Sequence, residues 1–314
     1  MNNNKFSTLK NISNQAPILN ELQSSKYNTN LFSTNEKSKS GGLRYKNFFK
    51  RHINSKPLIS VITVVFNGEK NLEKTIKSVL NQSYDNIEYI IIDGDSSDNT
   101  LNIIKKYSDF IDFWLSEKDT GIYNAMNKGL TYCTGDYVGI LNSGDIYTKY
   151  ALSFIKKYIN NENPDFIFGS VYKDRILSGY NPQKINWKFN IYPAHSSGFF
   201  IKSSSQKIVG KYNEKYKFHS DYDLMYRIIV RHKLKGITTK KKHLIGIFDI
   251  FGVSSKESFT SYLLEELNIR LDNKQNLFQV YFFFIIRFLY FLIIKISFIR
   301  NTITFIKKKF RLNF

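Results

Sequence analysis

The sequence is poor in cysteine and proline: among 314 residues it has one cysteine, Cys133, and five prolines. A single cysteine excludes an internal disulfide framework and any metal site built from cysteines. Residues 1–16 are rich in Asn, Ser and Lys and contain no long apolar run, so no secretory signal peptide is predicted. These absences favour a reducing compartment, and we expect a cytoplasmic protein.

Several motifs that bind phosphate or zinc are also missing. There is no GxGxxG after the first apolar run and no GxxxxGK[ST], which counts against a dinucleotide dehydrogenase and a P-loop NTPase. The five histidines form neither an HxxxH nor an HExxH pair, so a zinc enzyme is not indicated. If a nucleotide binds, something other than a glycine-rich loop must hold its phosphates.

Acidic residues are scarce, with 26 Asp and Glu against 46 Lys and Arg and a net charge of +20. The excess lies at the two ends of the chain. Residues 1–56 carry ten Lys and Arg against two acids, and residues 295–314 carry six with no acid. A basic face on the folded body, typical of nucleic-acid binders, is not indicated, and we expect no nucleic-acid partner. Basic termini favour contact with an anionic membrane surface.

Strand and helix patterns alternate after Pro57. The run "LISVITVVF" (58–66) is uninterrupted and rich in β-branched residues, which is typical of a buried parallel strand. The next residues have apolar positions at helical spacing, and the alternation repeats through "IEYIIIDGD", "FIDFWLSE" and "GDYVGIL". This pattern predicts an α/β fold with a doubly wound, mostly parallel sheet. A strand over 165–173, a turn at "HSSGFFIKS" and a helix starting near "SDYDL" follow.

The chain divides into three predicted regions. Residues 1–56 form an N-terminal extension that we expect to be largely disordered. Residues 57–250 form the α/β domain. Residues 251–314 form a helical, apolar and basic segment that we expect to associate with a membrane.

The apolar stretch 277–299 within this last region is interrupted by Arg287 and Lys295. It is long enough to span a bilayer, although Arg287 near its centre costs about 2.5–3.5 kcal/mol on insertion. We favour a helix lying in the interface on the cytoplasmic face, with Arg287, Lys295 and Arg300 reaching head groups. The basic run at 307–311 would then contact anionic lipid. A buried core helix and a true span are the alternatives.

Acidic residues follow three of the four predicted central strands, at 93–95, 117–119 and 145, whereas the first strand ends in Phe66-Asn67-Gly68. The carboxyl ends of parallel strands lie at one edge of a sheet, where ligands bind. Carboxylates gathered there repel one another unless a cation shares the site. Hard ions such as Mg²⁺ or Mn²⁺ prefer oxygen ligands and bridge diphosphates. The sequence therefore predicts a metal and a nucleotide diphosphate at this edge.

A family resemblance rests on three stretches. The stretch "PLISVITVVFNGEKNLEKTIKSVLNQSYDNIEYIIIDGDSSDNT" resembles the opening of family 2 glycosyltransferases of the GT-A fold. The stretch "SEKDTGIYNAMNKGLTYCTGDYVGILNSGD" resembles the next portion, and "HSSGFFIKS" with "YNEKYKFHSDYDLMYR" the acceptor half. The resemblance covers roughly residues 57–235.

This resemblance implies transfer of a sugar from a nucleotide-diphosphate sugar, usually a UDP-sugar, to a hydroxyl of a saccharide or lipid-linked acceptor. It further implies an inverting, Mn²⁺- or Mg²⁺-dependent reaction in polysaccharide or lipopolysaccharide assembly.

The resemblance also implies roles for individual residues. Either Asp93 or Asp95 meets the uracil or ribose, because this chain reads "DGDSS" where the family often reads "DDGS". The metal motif falls on 142–145, where Asp145 is the only carboxylate and Asn142 offers a neutral oxygen. An ordinary turn closing the strand is the alternative there. The residues implied to line the nucleotide site are Val65, Phe66, Asn67, Asp93, Asp95, Asp119, Asn127, Ser143 and Gly144.

Two catalytic residues are implied. Asp221 in "SDYDL" matches the family's base, which removes the proton of the attacking hydroxyl. The alternative is that Asp221 caps a helix, with Asp223 in its first turn. His195 lies where the family has a histidine near the diphosphate or acceptor, although a lone histidine is more often packed or exposed.

Two other functions remain open. A nucleotidyltransferase also joins an α/β sheet to acidic metal ligands, but "FNGEKN" is a poor phosphate loop. A non-catalytic, membrane-tethered protein that binds nucleotide sugars is conceivable because Asn142 and Gly144 depart from the acidic metal motif.

Overall fold

The computed structural model describes residues 6–14, 38–51, 53, 55–182, 196–249 and 259–295. Within these ranges the strands are β1 (Ile12–Ser13), β2 (Lys39–Gly41), β3 (Phe49–Lys50), β4 (Ile59–Val65), β5 (Ile87–Asp93), β6 (Phe113–Ser116), β7 (Tyr137–Ile140), β8 (Ile146–Tyr147), β9 (Phe166–Phe168), β10 (Ser170–Tyr172), β11 (Ile176–Leu177), β12 (Phe199–Lys202), β13 (Gly236–Thr238) and β14 (Leu244–Ile247). The α-helices are α1 (Leu72–Leu80), α2 (Thr100–Lys106), α3 (Ile122–Tyr132), α4 (Ala151–Glu162), α5 (Ser203–Val209), α6 (Ser220–Tyr226), α7 (Phe259–Asp272) and α8 (Leu277–Lys295).

An eight-stranded sheet forms the centre of the protein, in the order β13-β9-β12-β7-β4-β5-β6-β2. The four strands β7, β4, β5 and β6 run parallel. Strands β12 and β2 pair antiparallel with β7 and β6. The chain moves outward from β4 through β5 and β6, then returns to β7 on the other side of β4. Such a reversal creates a crevice at the carboxyl ends of β4 and β7, where sheets of this kind bind ligands.

Hydrophobic cores cover both faces of this sheet. All seven residues of β4 are buried, which explains its uninterrupted apolar sequence. Ile59 and Val61 pack on the face covered by α1, α2 and α4. Ile62 and Val64 pack on the opposite face with α3 and α6. The doubly wound α/β architecture predicted from the sequence is therefore confirmed.

The strand predicted over 165–173 is divided at Gly169. A β-carbon at this position would lie 2.4 Å from Ile245 Cγ1, so only glycine fits without displacement. β9 stays in the main sheet, whereas β10 enters a second sheet of order β11-β10-β14-β8. There β14 pairs antiparallel with β8, with Ile247 opposite Ile146. This pairing brings the end of β14 beside the turn that follows β7.

The turn predicted at "HSSGFFIKS" contains a strand. Residues 196–198 form a short 3₁₀ turn, and β12 then lies antiparallel between β7 and β9. The four-residue strand is too short for its apolar pattern to distinguish it from a loop.

Part of the predicted N-terminal extension is folded onto the domain. Residues 38–51 contain β2, which covers the edge of β6. Arg44 is buried in an ion pair with Glu88, and Lys50 lies 3.2 Å from Asp112. A buried charge is costly unless it is paired, so these two cations require the acids of the body. The expectation of disorder therefore does not describe residues 38–51.

The C-terminal helices α7 and α8 pack against each other. Arg287 of α8 forms an ion pair with Glu266 of α7, and its guanidinium lies 5.9 Å from the centre of the Phe259 ring. Arg287 is therefore directed at Glu266, which also pairs with Arg270, and the expectation that it reaches lipid head groups is not supported by this arrangement. Of the described part of the chain, none of the helices combines the length and apolar character needed to cross a bilayer. Residues 296–314 lie outside the description.

Candidate functional site

An exposed aromatic ring and a carboxylate meet where β4, β5 and β6 end. Val65 closes β4, and its carbonyl accepts a hydrogen bond from Gly94 N at 2.9 Å. The Phe66 side chain that follows is 62% exposed. A β-carbon at Gly94 would lie 2.5 Å from Asp119 Oδ2 and 3.3 Å from Phe66 Cδ2. Glycine thus lets the ring and the carboxylate lie side by side, which suits a flat, hydrogen-bonding ligand.

Asp119 itself is half-buried. Its Oδ1 accepts a hydrogen bond from Gly121 N at 2.9 Å. Burial raises the pKa of Asp119, and Asp93 adds to this through charge repulsion, whereas the Gly121 amide and Lys128 oppose it. A partly buried carboxylate of this kind is stabilised by a hydrogen-bond donor on a ligand, such as a hydroxyl or a ring N–H.

Asp93 and Asn67 both bind the loop that follows β5. Asp93 is fully buried and accepts hydrogen bonds from Ser116 Oγ at 2.7 Å and from the Ser96 hydroxyl. Asn67 N donates to Ser96 Oγ at 2.8 Å, and Asn67 Oδ1 accepts from Ser97 N at 2.9 Å. Asp95 is exposed. Which of the two aspartates meets a nucleoside therefore stays a prediction.

Asn127 is occupied by another part of the chain. Its Nδ2 donates to Tyr212 O at 2.9 Å and to Glu214 Oε1 at 2.7 Å, and its Oδ1 accepts from Tyr212 N at 2.9 Å. These bonds hold the 212–214 segment against α3. The implied role of Asn127 beside the nucleoside remains a prediction.

The turn after β7 is tied to α1 by one side chain. Gly144 N donates to Thr75 Oγ1 at 3.0 Å, and Thr75 Oγ1 donates to Asp145 O at 2.8 Å. Gly144 has a φ of +104°, which favours glycine. Asp145 is only 2% exposed, so its carboxylate points inward rather than into solvent.

Four buried oxygen atoms around this turn have no hydrogen-bond partner among the described residues: Asp145 Oδ2, Asn142 Oδ1, Ser143 Oγ and Ser197 Oγ. Most buried polar atoms in native proteins are bonded, so four lone acceptors or hydroxyls at one sheet edge require an explanation. A bound cation supplies one, because every atom of the set is a hard oxygen donor.

A second carboxylate, which the sequence analysis missed, lies beside Asp145. Asp249 N donates to Asp145 Oδ1 at 2.9 Å, and Asp249 Oδ2 accepts from Asn71 Nδ2 at 3.1 Å. Burial raises the pKa of Asp145 to about 7, the charge of Asp249 adds to the rise, and Lys173 opposes it. Two acids close together in a buried site favour a cation between them. Over the described ranges, however, no group of three or more His, Cys, Asp or Glu side chains is arranged to hold a metal.

Asp249 and Lys173 come from the second sheet, following β14 and β10 respectively. The only sequence signal for Asp249 was its position after the short apolar run "LIGIF", as an acid at a strand end.

Asp221 lies in the first turn of α6 and contacts α3. Its Oδ1 accepts hydrogen bonds from Tyr222 N at 2.9 Å and from the Tyr123 hydroxyl at 3.3 Å. The same hydroxyl also donates to Phe218 O at 2.9 Å. Tyr123 was not identified from the sequence. The alternative that Asp221 caps the helix is wrong, because the N-cap is His219 and Asp221 lies inside the first turn. A carboxylate in the first turn is still stabilised by the helix dipole, which is compatible with a role as base. His195 lies outside the described residues.

The loops form one continuous edge. A β-carbon at Gly68 would lie 2.8 Å from Ser143 Oγ, so the loops after β4 and β7 touch. Gly94, in the loop after β5, lies against Asp119. Asp119 accepts from Gly121 N just before α3, and Tyr123 of α3 bonds to Asp221. These contacts connect Phe66, Asp119, Asp145 and Asp221 through neighbouring loops at the carboxyl ends of the parallel strands.

Comparisons with known proteins find similarities in sequence and in fold. A sequence model described as "Glycosyl transferase family 2" matches residues 60–291. Poly(ribitol-phosphate) beta-N-acetylglucosaminyltransferase TarP of Staphylococcus aureus (strain N315) is 40% identical over 116 residues, 35% of this chain and 36% of TarP. UDP-Glc:alpha-D-GlcNAc-diphosphoundecaprenol beta-1,3-glucosyltransferase WfgD of Escherichia coli is 32% identical over 135 residues, 41% of this chain and 53% of WfgD. The chain thus spans about half or less of these two relatives.

A solved structure extends the likeness to the fold. TarS 1-349 of S. aureus in complex with UDP-GlcNAc gives a TM-score of 0.56 at 16% identity, covering 68% of this chain and 65% of that chain. Identity at this level shows the fold alone. The GT-A fold predicted from the sequence is confirmed.

Proposed function

The chain belongs to glycosyl transferase family 2, whose sequence model spans residues 60–291, and we propose that it transfers a sugar from a UDP-sugar to a hydroxyl group. The membership confirms the resemblance seen in the sequence. One observation carries the proposal: the loop after β4 carries the exposed Phe66 and, at Gly68, lies against Ser143 in the turn whose buried oxygens have no described partner. A nucleotide base and a metal-bound diphosphate need these two surfaces next to each other.

The nucleoside is proposed to lie at Phe66 and Asp119. An exposed ring at a strand end offers a face for stacking on a base. The Asp119 carboxylate beside it accepts a hydrogen bond from the uracil or ribose. That UDP-GlcNAc binds the same fold in TarS supports a nucleotide sugar as the donor.

A divalent ion, Mn²⁺ or Mg²⁺, is proposed to bind Asp145, Asn142 and Asp249. The donor set fits, because it offers two carboxylates and an amide oxygen, and such ions are held by few protein ligands plus phosphates and waters. When bound, the ion would neutralise the charge that develops on the departing diphosphate. Lys173, whose charge opposes the raised pKa of Asp145, adds positive charge to the same region.

Asp221 is proposed to act as the base of an inverting transfer. A sugar hydroxyl is a weak acid, so a carboxylate must take its proton as the hydroxyl attacks the anomeric carbon. Tyr123 bonds to Asp221 and thereby fixes the direction of its carboxylate. The acceptor is proposed to be a saccharide or a lipid-linked saccharide of a surface polysaccharide, since the name of WfgD describes a lipid-linked saccharide acceptor.

The second carboxylate bears on the non-catalytic alternative. That reading arose from Asn142 and Gly144, which leave one acid in the metal motif. Asp249, which follows a different strand, places another carboxylate beside Asp145. This carboxylate would take the place of the acid that the motif lacks.

Donor binding is tested by thermal denaturation with UDP-GlcNAc, UDP-glucose and GDP-mannose, each with Mn²⁺. We expect one UDP-sugar to raise Tm, because a ligand at a hundred times its Kd stabilises the fold by about 2.7 kcal/mol. Phe66→Ala should reduce that rise while leaving the ligand-free Tm unchanged, since this side chain is exposed. A protein whose Tm ignores all three compounds, and which releases no UDP from them, would contradict the proposal.

We further propose that α8 attaches the protein to the surface of an anionic membrane. Only Val280 and Phe283 are buried to more than nine-tenths among the described side chains of this helix. The exposed large apolar side chains of α8 are Leu277, Phe278, Tyr281, Phe282, Ile285, Ile286, Phe288, Leu289, Leu292 and Ile293. Exposed apolar faces of this size mark interaction sites. The six cations and absence of acids at 295–314 favour anionic lipid as the partner.

The attachment is tested by flotation with vesicles. We expect binding to phosphatidylglycerol-containing vesicles and at least about tenfold weaker binding for Phe278→Glu with Ile285→Glu, because each buried side chain contributes about 1.5–3 kcal/mol. Ile208→Glu on α5, at 62% exposure, is the matched control and should bind like the wild type. Stable dimers that ignore vesicles would show that a second copy covers α8 instead.

A further inference from the structure

One carboxylate of the C-terminal helices holds the turn that precedes Asp221. Glu265 of α7 accepts three backbone hydrogen bonds: from Phe218 N and His219 N to Oε1, both at 2.8 Å, and from Lys217 N to Oε2 at 3.1 Å. These amides belong to the residues immediately before α6. We call residues 217–221 the base turn.

The same helices contact the base turn and α6 at other points. The Tyr262 ring of α7 lies 4.9 Å from the Phe218 ring and 5.1 Å from the His219 ring, between centroids. Asn273, just after α7, donates to Asp223 Oδ1 at 2.7 Å. The base turn is therefore packed against α7 on one side. On the other side it is bonded to α3, through the Tyr123 hydroxyl and Phe218 O.

Glu265 bonds to three successive amides of the base turn. These amides precede α6 or belong to its N-cap, His219, so the helix offers them no acceptor and they need one from elsewhere. Hydrogen bonds to an ionised carboxylate are shorter and roughly twice as strong as neutral ones. Asp221 follows His219 by two residues, so a shift of the bonded amides moves its carboxylate directly.

We propose that Glu265 is a positioning residue, which fixes the base turn so that the Asp221 carboxylate faces the acceptor hydroxyl. The inference rests on the proposed function, in which Asp221 is the base. It adds that the acceptor side of the site is built partly by α7, which follows the strands of both sheets in the chain. The helices α7 and α8 pack as a pair, and α8 carries the exposed apolar face. This helix pair therefore also determines the geometry of proton transfer.

The test compares Glu265→Ala and Glu265→Gln in the full chain. Glutamine keeps one oxygen in the place that accepts two of the three amides, so it should restore part of what alanine loses. UDP release from UDP-GlcNAc and UDP-glucose with Mn²⁺ gives kcat and KM. We expect kcat to fall about tenfold or more in Glu265→Ala with the KM for the donor unchanged, and to recover in Glu265→Gln.

A measurement without substrate accompanies the kinetics. The carboxyl ¹³C resonance of Asp221 and its pH titration should change in Glu265→Ala and return in Glu265→Gln. The control is Asp136→Ala, which removes a carboxylate that accepts Leu58 N at 2.8 Å before β4, at the opposite edge of the sheet. It should leave the Asp221 resonance and kcat unchanged even if Tm falls.

Two outcomes overturn the inference. One is an unchanged Asp221 resonance in both Glu265 variants, and the other is a kcat that does not fall or falls equally in Asp136→Ala. If Glu265→Ala does not fold, Glu265→Asp decides by the same two readouts, because its side chain is one methylene too short to hold the three amides as Glu265 does. Full activity of Asp221→Asn would instead refute the proposed base, so the failures of the inference and of the function are distinguishable.

Discussion

Replacing Asp221 by asparagine is expected to lower kcat by about 10²–10⁴-fold, the range that a positioned general base contributes. Asparagine keeps an oxygen that accepts from Tyr222 N and the Tyr123 hydroxyl, so the helix start should stay intact. Only the ability to take a proton is lost. UDP release in the presence of Mn²⁺ measures the fall, and Tm and the Kd for UDP should remain those of the wild type.

Asp223, two residues further along α6, is the matched control. Its carboxylate accepts from Arg227 Nε at 2.9 Å and from Asn273 Nδ2 at 2.7 Å, so it has a structural role. Asp223→Asn should lower Tm yet keep kcat per folded molecule within a few-fold. If Asp221→Asn kept most of its activity while Asp223→Asn lost it, the base would be the other aspartate.

The parts of the fold that were predictable are those encoded by local sequence. Buried parallel strands read as continuous apolar runs, so β4 and β5 were evident. Because parallel strands end at one edge of the sheet, the residues that follow them could be grouped from the sequence alone. Asp145 was assigned to a metal site from its position at a strand end together with the family resemblance, and that assignment stays a prediction.

Residues that reach the site from distant segments were not predictable. Asp249 lies 104 residues from Asp145 in the chain, and only the pairing of β14 with β8 brings the two together. Glu265 reaches the base turn through the packing of α7, which no spacing in the sequence reveals. The pairing of Arg287 with Glu266 was missed for the same reason, because the two residues lie on different helices, α8 and α7.

Replacing Asp145 by asparagine is expected to lower the metal-dependent rate by at least about 10²-fold, because a bound cation supplies several kcal/mol and 1.36 kcal/mol is a factor of ten. The substitution should not destabilise the ligand-free protein at pH 8. Burial raises the pKa of Asp145 from 3.8 to about 7. Between pH 3.8 and about 7, the folded protein therefore holds a proton on Asp145 that the unfolded chain has released.

The sign of the pH effect follows from this proton. The stability it contributes is fully present below pH 3.8 and is lost as the pH rises through about 7. At pH 8 the wild type carries a buried charge that Lys173 and the Asp249 amide offset only in part, whereas Asp145→Asn does not, so the Tm of the variant should equal or exceed that of the wild type. Mn²⁺ should raise the Tm of the wild type more at pH 8 than at pH 5.5, because protons compete for the carboxylate.

Two further variants decide whether Asp145 acts through a cation. Asp249→Asn removes the neighbouring carboxylate and should weaken the Mn²⁺-induced rise in Tm without abolishing it. Asp109→Asn removes a carboxylate that is 66% exposed and bonded to Lys46, and should change neither Tm with Mn²⁺ nor activity. If Asp145→Asn kept the full Mn²⁺-induced rise, the cation would bind elsewhere. The unpartnered oxygens beside β7 would then need another ligand, and the proposed route for neutralising the diphosphate would be refuted.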